Sequence, residues 1–235
     1  MIRTRNPLNL GAAARAMSNF GYVHLRVVQP YELAFREARS AVGASAILKK
    51  AEEYSTVAEA VADCALVVGT TTLRQRKRQH TMWGLEEGCE LMREALSAGR
   101  VALLFGSEKV GLSNDDLSHC HWLMHIPTRE QHPSMNLGQA VAVCLYELSR
   151  AHRGGSSKSG SLTDSTLASA GELERLTSTL LETLTASGYL DAPSELADAK
   201  VRRLIYRLNL QAEDAELLLG MIRQILWKVR SSLER

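Results

Sequence analysis

Paired cysteines are missing from this sequence. The four cysteines, Cys64, Cys89, Cys120 and Cys144, stand far apart, and none belongs to a Cys-x-x-Cys pair. That spacing argues against a zinc framework and for reduced thiols in a cytoplasmic protein. No apolar run approaches the roughly 18 to 20 residues that a helix needs to span a bilayer. Residues 1–7 hold no apolar stretch of the kind a signal peptide requires. A Gly-x-Gly-x-x-Gly run and a phosphate-loop lysine are also absent, which argues against a generic nucleotide-binding enzyme. Net charge is nearly absent as well: 28 Lys and Arg against 26 Asp and Glu leave +2. A nucleic-acid partner would have to be held by local charge.

The chain does contain short apolar runs that alternate with helical patterns. Its 235 residues, 45% of them hydrophobic, can bury a sizeable core in one large or two modest domains. Alanine at 12, 13, 14 and 16 marks a helix over 12–19 with a thin surface for close packing. Asn6-Pro7 and Gly11 flank the turn leading into it, and Gly21 stops it. Strands are predicted over 23–28, 65–68, 101–105 and 122–126. Helices are predicted over 32–41, 56–63, 86–97 and 136–150, with a further stretch around 46–53 and a short helix capped by Ser113. Strands alternating with helices imply an α/β fold, an open parallel sheet with helices on both faces. Helix 136–150 is apolar nearly all round, which predicts burial on two sides, inside a monomer or between protomers.

From Arg153 the composition shifts to a Gly-Ser-Lys run that reads as a flexible linker. Three leucine-striped patterns follow. The organisation is therefore a first domain over 1–152, a linker over 153–167 and a three-helix domain over 168–235. Lys200, Arg203 and Arg207 share one face of the second of these helices, open to RNA or to water. The densest charge lies earlier, in Arg74-Gln75-Arg76-Lys77-Arg78-Gln79-His80, with four cations in five positions. Such a run is ordinarily a solvated loop. Here it follows the strand end Val67-Val68-Gly69-Thr70, where it could hold a phosphate backbone.

Two runs carry the main functional signal. One is Leu103-Leu104-Phe105-Gly106-Ser107-Glu108-Lys109-Val110-Gly111-Leu112; the other is Ile126-Pro127-Thr128 followed by Pro133-Ser134-Met135-Asn136-Leu137-Gly138. Each is an apolar strand that ends in a glycine- or proline-bearing turn and runs into a helix. Both therefore bring free backbone N–H groups to one edge of the sheet, where open α/β sheets bind ligands. Apolar walls with a few amides suit a flat heterocycle with polar edges. His119, Cys120, His121 and His125 make a poor metal site, because only His121 and His125 share a face of an extended segment.

Together with Asn9-Leu10-Gly11-Ala12-Ala13-Ala14-Arg15-Ala16-Met17 and Phe20-Gly21, these runs resemble the three ordered motifs of the SpoU (TrmH-like) RNA 2′-O-methyltransferases, a branch of the knotted SPOUT superfamily. The helical appendage resembles that of the TrmJ-like tRNA methyltransferase subgroup, so the likeness covers essentially the whole chain. The resemblance implies transfer of a methyl group from S-adenosyl-L-methionine to an RNA ribose 2′-hydroxyl, without metal or membrane. It implies a trefoil knot in the C-terminal part of the sheet domain and a homodimer with the active site at the subunit interface. By the same likeness, cofactor contacts fall on Thr70, Thr71, Thr72, Gly106, Ile126, Pro133, Ser134 and Met135. Arg15, Asn9, Ser134 and Asn136 take the catalytic positions, and Arg74, Arg76, Lys77 and Arg78 are the candidate RNA contacts. Arg15 is either a guanidinium fork on the adjacent phosphate or a base of depressed pKa.

The subgroup points to a pyrimidine, nucleotide 32, on the 5′ side of the tRNA anticodon loop. Methylation of rRNA or of another tRNA position, and an RNA-binding module without catalysis, are the alternatives. The likeness departs at the start. Family members open with a hydrophobic strand before the Asn-x-Gly motif, and here only Ile2, Arg3 and Thr4 stand there. Either the start is truncated or that strand is a stub.

Overall fold

In the computed structural model, residues 1–40, 46–72, 80–150, 167–191 and 194–233 are described. The elements run α1 (Pro7–Phe20), β1 (Arg26–Val28), α2 (Glu32–Ser40), α3 (Ala46–Lys49), β2 (Glu52–Tyr54), α4 (Val57–Val61), β3 (Leu66–Thr70), β4 (Met82–Gly84), α5 (Leu85–Ala98), β5 (Val101–Leu104), α6 (Asn114–Ser118), β6 (Trp122–His125), α7 (Leu137–Arg150), α8 (Ala170–Ala186), α9 (Glu195–Arg207) and α10 (Ala212–Leu233).

Four parallel strands form one sheet in the order β4-β6-β3-β5, with β1 and β2 as a separate parallel pair. Successive strand residues point to opposite faces, so each strand feeds two cores. Leu66 and Val68 join a core on one face with Leu10, Met17, Met92, Val141 and Leu145 from α1, α5 and α7. Val67 and Leu123 join the other with Val61, Leu117, Leu173, Leu176 and Tyr206 from α4, α6, α8 and α9. The helices covering both faces make the fold mixed α/β with parallel sheets.

The first residues lie between the two sheets. Ile2 N–H donates to the Phe105 carbonyl at 2.8 Å, while the N–H groups of Val28 and Arg3 bond to Met1 and Val28 carbonyls, both at 2.9 Å. Ile2 is wholly buried. This segment joins β1 to the end of β5, and beside it lies a cavity of about 310 Å³ walled by Met17, Leu25, Val61, Leu103, Val141 and Leu145. The Met1 ammonium donates to the Arg26 carbonyl at 2.9 Å, and burial pushes its pKa down to about 5.

Several elements differ from the sequence reading, among them β1, which begins at Arg26 and leaves Val23 exposed. Helix α1 begins at Pro7, a turn before the predicted start, and takes in Asn9 and Gly11. The Asn6 side chain accepts from Leu8 N–H at 2.9 Å and Pro7 presets the first helical φ. This cap and preset φ offset the roughly 1 kcal/mol cost of an internal glycine. The stretch around 46–53 divides into α3 and β2, and β4 was not foreseen. Both strands are three residues long, too short for alternation to register.

The C-terminal helices close the second face. Ala170 and Gly171 N–H groups donate to the Cys64 and Ala62 carbonyls, each at 2.9 Å. Arg202 pairs with Glu174 at 2.9 and 3.0 Å and donates to Ser118 Oγ at 3.2 Å. The ring of Tyr206, wholly buried, meets His121 edge-on with centroids 5.1 Å apart. Among the described residues no helix is long and apolar enough to cross a membrane. All four cysteines are buried and free.

His121 supplies a pH test of this packing. Its Nδ1 accepts the Val67 N–H at 3.1 Å, so the ring must stay neutral, and burial pushes its pKa down to about 4. The unfolded chain takes up a proton near pH 6.5 that the folded chain refuses, so stability is complete above that value and falls towards pH 4. A shift of this size corresponds to roughly 3 kcal/mol at the acid end. Thermal melts of His121→Asn, which keeps an acceptor near the Nδ1 position, should show a shallower loss between pH 6.5 and 4 than wild type. Parallel slopes would mean that His121 is not the titrating group.

Candidate active site

The carboxyl ends of β3, β5 and β6 meet at one edge of the sheet. Thr70 Oγ1 donates to the Leu104 carbonyl at 2.8 Å, and Thr71 N–H donates to the Met124 carbonyl at 3.0 Å. These bonds bring the threonines beside the two segments that continue into Gly106 and Ile126. Thr71 and Ile126 are half-buried and Thr72 is exposed. The β6 segment then loops back towards α7, with Thr128 Oγ1 donating to the Pro133 carbonyl at 3.2 Å. Ser134 and Met135 are exposed on that loop.

After Gly106 the chain doubles back sharply. Gly111 N–H donates to the Ser107 carbonyl at 2.8 Å, and Gly111 has a φ of 68°. A Cβ on Gly106 would lie 2.1 Å from the Gly111 carbonyl carbon and 2.2 Å from the Leu112 nitrogen. Glycine at 106 is therefore dictated by the turn's own backbone.

A polar relay ties this turn to both helices. Asn136 Nδ2 donates to Asn9 Oδ1 at 2.9 Å, and Asn9 Nδ2 donates to Glu108 Oε1 at 3.0 Å. Glu108 also accepts the N–H groups of Arg5 and Asn6, each at 3.1 Å. Burial pushes its carboxyl pKa up, but the bonds from Asn9 and the backbone outweigh that and hold it below the usual range. Asn136 Oδ1 accepts from Gly138 N–H at 3.0 Å and so caps α7. Below this cap the two helices nearly touch: a Cβ on Gly138 would stand 2.5 Å from that of Ala12.

The structure thus brings Thr70, Thr71, Gly106, Ile126, Asn9 and Asn136 into one connected edge, with Ser134 and Met135 on its loop. Asn9 and Arg15 both lie on α1, not on either side of a turn. Six residues of helix set them about 9 Å apart along the axis and about 120° around it. Asn9 is buried with one donor and one acceptor engaged, while Arg15 is exposed and makes no ion pair among the described residues. Arg74, Arg76, Lys77 and Arg78 lie outside the described residues. Glu108, from the first of the two runs, also lies at this edge, and its bonds run inward to the entry of α1. Only the Asn6-Pro7 start of that helix hinted at this.

The histidines point to separate neighbours. His125 Nδ1 lies 3.0 Å from the Trp83 carbonyl, His121 faces Val67 and Tyr206, and His119 lies 3.8 Å from Glu174. No group of three or more His, Cys, Asp or Glu among the described residues could hold a metal ion.

Gly106→Ala should destabilise the protein by about 2 kcal/mol or more, because the added methyl meets backbone that cannot rotate away. Chemical denaturation measures this. An unchanged midpoint would mean that the 107–111 turn re-forms around a side chain.

Residues 1–146 match the model of the SpoU rRNA Methylase family. A protein of Sodalis glossinidius described as tRNA (cytidine/uridine-2′-O-)-methyltransferase TrmJ is 32% identical over 228 residues, spanning 96% of this chain and 89% of the relative. A Pseudomonas aeruginosa protein described as tRNA (cytidine/uridine/adenosine-2′-O-)-methyltransferase TrmJ is 35% identical over 234 residues, spanning 94% and 90%. The crystal structure of TrmJ from Z. mobilis ZM4 superposes with a TM-score of 0.80 at 30% identity, spanning 100% of this chain and 97% of that one. The matched motifs are those whose strand ends and helix caps meet at the edge described above, and the chain belongs to the SpoU rRNA Methylase family of methyltransferases.

Proposed function

We propose that this chain transfers a methyl group from S-adenosyl-L-methionine to a tRNA ribose 2′-hydroxyl, at the pyrimidine in position 32 on the 5′ side of the anticodon loop. One observation carries the reading. The three ordered motifs converge on a single sheet edge, in a chain whose relatives over nearly their whole length are named for tRNA 2′-O-methylation of cytidine and uridine.

The donor set suits that cofactor. Threonine hydroxyls and strand-end backbone groups offer polar partners for an adenosine, while Ile126 and the partly exposed Met135 offer apolar surface. Thr70, Thr71, Thr72, Gly106, Ile126, Pro133, Ser134 and Met135 would hold it. Once bound, it supplies a methyl group already activated on a sulfonium, so no metal is needed.

The chain's own work is to align the 2′-hydroxyl and manage one proton. Arg15, exposed and without an ion pair among the described residues, acts as a planar fork on the neighbouring phosphate and stabilises the developing alkoxide, with the proton leaving through phosphate or water. Asn9 positions the helix that carries Arg15, because its bonds to Glu108 and Asn136 are internal. Ser134 and Asn136 order the ribose from the loop before α7. Arg74, Arg76, Lys77 and Arg78 hold tRNA phosphates from the segment after β3.

The working unit is a cytoplasmic homodimer with the active site where protomers meet. Leu8 is 78% exposed and Tyr146 55%, and Tyr146 packs edge-on against Phe20 at 6.0 Å, leaving an apolar surface across α1 and α7. Residues 1–152 form the methyltransferase domain with a trefoil knot, and 168–235 the helical domain, joined through 153–167.

Arg15→Ala should lower single-turnover methyl transfer by roughly two orders of magnitude, the scale of losing one preorganised charge-stabilising group. Fold and cofactor affinity should hold, since alanine favours a helix. Arg15→Lys should rescue in part, and with no shift in the pH profile if the group clamps phosphate. Transfer by Arg15→Ala at the wild-type rate would remove Arg15 from the site. Mapping 2′-O-methyl marks on tRNA from cells with and without the protein tests the substrate: the mark at position 32 should disappear.

Assembly is tested by sedimentation. A dimer is expected at micromolar concentration, and Tyr146→Asp should shift it towards monomer. A folded wild-type monomer would overturn the shared-site reading.

A further inference from the structure

Helix α9 holds charge that has no counter-ion among the described residues. Arg202 on this helix is satisfied by Glu174, Asp115 and Ser118. Arg203, the next residue, is only 7% exposed, yet its Nε has no hydrogen-bond partner. No carboxylate acts on it; burial and the charge of Arg207 both push its pKa down. Arg207 lies one turn on, a like-charge spacing that a helix disfavours. His80, from the connection between β3 and β4, lies close enough for its ring to feel the charge of both arginines. Its Nε2 is also buried without a partner, and its ring bonds to the Leu117 backbone. Burial and then the charge of Arg203 push its pKa down to about 4. Segment 73–79, which leads into His80, contains four cations and no acidic residue, so it brings no carboxylate to the cluster.

A buried guanidinium without an anion is costly, because it loses hydration and gains nothing. The cost is removed if an anion binds there, and a planar fork beside a second guanidinium suits phosphate oxygens. We infer that Arg203 and Arg207, with His80 lining them, form a phosphate-binding site that takes the backbone of the RNA substrate across the junction of the two domains. This rests on the tRNA reading above. With this site the helical domain fixes a second point of the same RNA, a domain away from the ribose being methylated. His80 has its one ring N–H committed to the Leu117 backbone, so the neutral ring lines the site without donating and the two guanidinium groups hold the phosphate.

The test uses full-length protein with Arg203→Met, which keeps an apolar stem in the buried position, and Arg203→Met/Arg207→Gln. Binding of tRNA is measured at low and at high salt, with thermal melts in the absence of RNA. The double variant should bind tRNA about tenfold or more weakly at low salt. The slope of log affinity against log salt should flatten by roughly one to two, as expected for two lost phosphate contacts. The melting temperature of Arg203→Met should stay level or rise, because an unpaired charge has been removed; a purely structural arginine predicts a fall. Unchanged affinity and slope, with wild type binding and methylating tRNA normally, would overturn this site while leaving the function intact. Wild type that neither binds nor methylates tRNA would instead overturn the function. Raised melting of wild type by inorganic phosphate, without any change of tRNA slope in the variants, would make this a small-anion site and overturn the RNA assignment.

Discussion

The arrangement at the sheet edge depends on one polar relay, from Asn136 through Asn9 to Glu108. It joins the cap of α7, the inner side of α1 and the turn after β5, segments that are 127 and 99 residues apart in pairs. Every member is bound at both ends: Asn136 to α7 amides, Asn9 to its two neighbours, Glu108 to the amides that open α1. An unsatisfied polar group in such a place costs about 1 to 3 kcal/mol, so the relay is stable only when complete. Completing it fixes the rotation of α1. That rotation turns Asn9 inward and leaves Arg15 on the outer side.

The same logic governs the contact between the two parts of the chain. The sheet needs cover on both faces. Leu173, Leu176 and Tyr206 from the C-terminal helices supply part of it, buried with Val67, Leu104 and Leu117. The Arg202–Glu174 pair, Ser118 and the backbone bonds from Ala170 and Gly171 set the register of that docking. Helix α9 is thereby held with Arg203 close enough to His80 for its charge to lower the ring's pKa.

Much of this was legible in the residue pattern, and the failures have physical causes. Strands β3, β5 and β6 and helices α5 and α7 were found because each is long or apolar enough for its period to register. Strand β2 reads Glu-Glu-Tyr, and β4 reads Met-Trp-Gly; in three residues neither shows alternation, and both exist because a neighbouring strand offers its edge. The start of α1 was misplaced because Gly11 looked like a break, whereas Asn6 and Pro7 had already begun the helix. At the opening segment Met1 and Ile2 are both buried, and Ile2 makes a single parallel bridge to Val28, too short a pairing for a strand period to register.

The sequence by itself determined the class of fold and the motif set, since alternating strand and helix periods and the order of three short runs are local properties of the chain. It determined Gly106 too, through a turn that doubles back within six residues. Tertiary structure alone decided which polar groups are spent internally and which remain free. Asn9 and Arg15 look equally available in the sequence, and so do Arg202 and Arg203; packing satisfies the first of each pair and leaves the second without an ion pair among the described residues. That division depends on the approach of segments a hundred residues apart, and no local pattern encodes a distance of that kind.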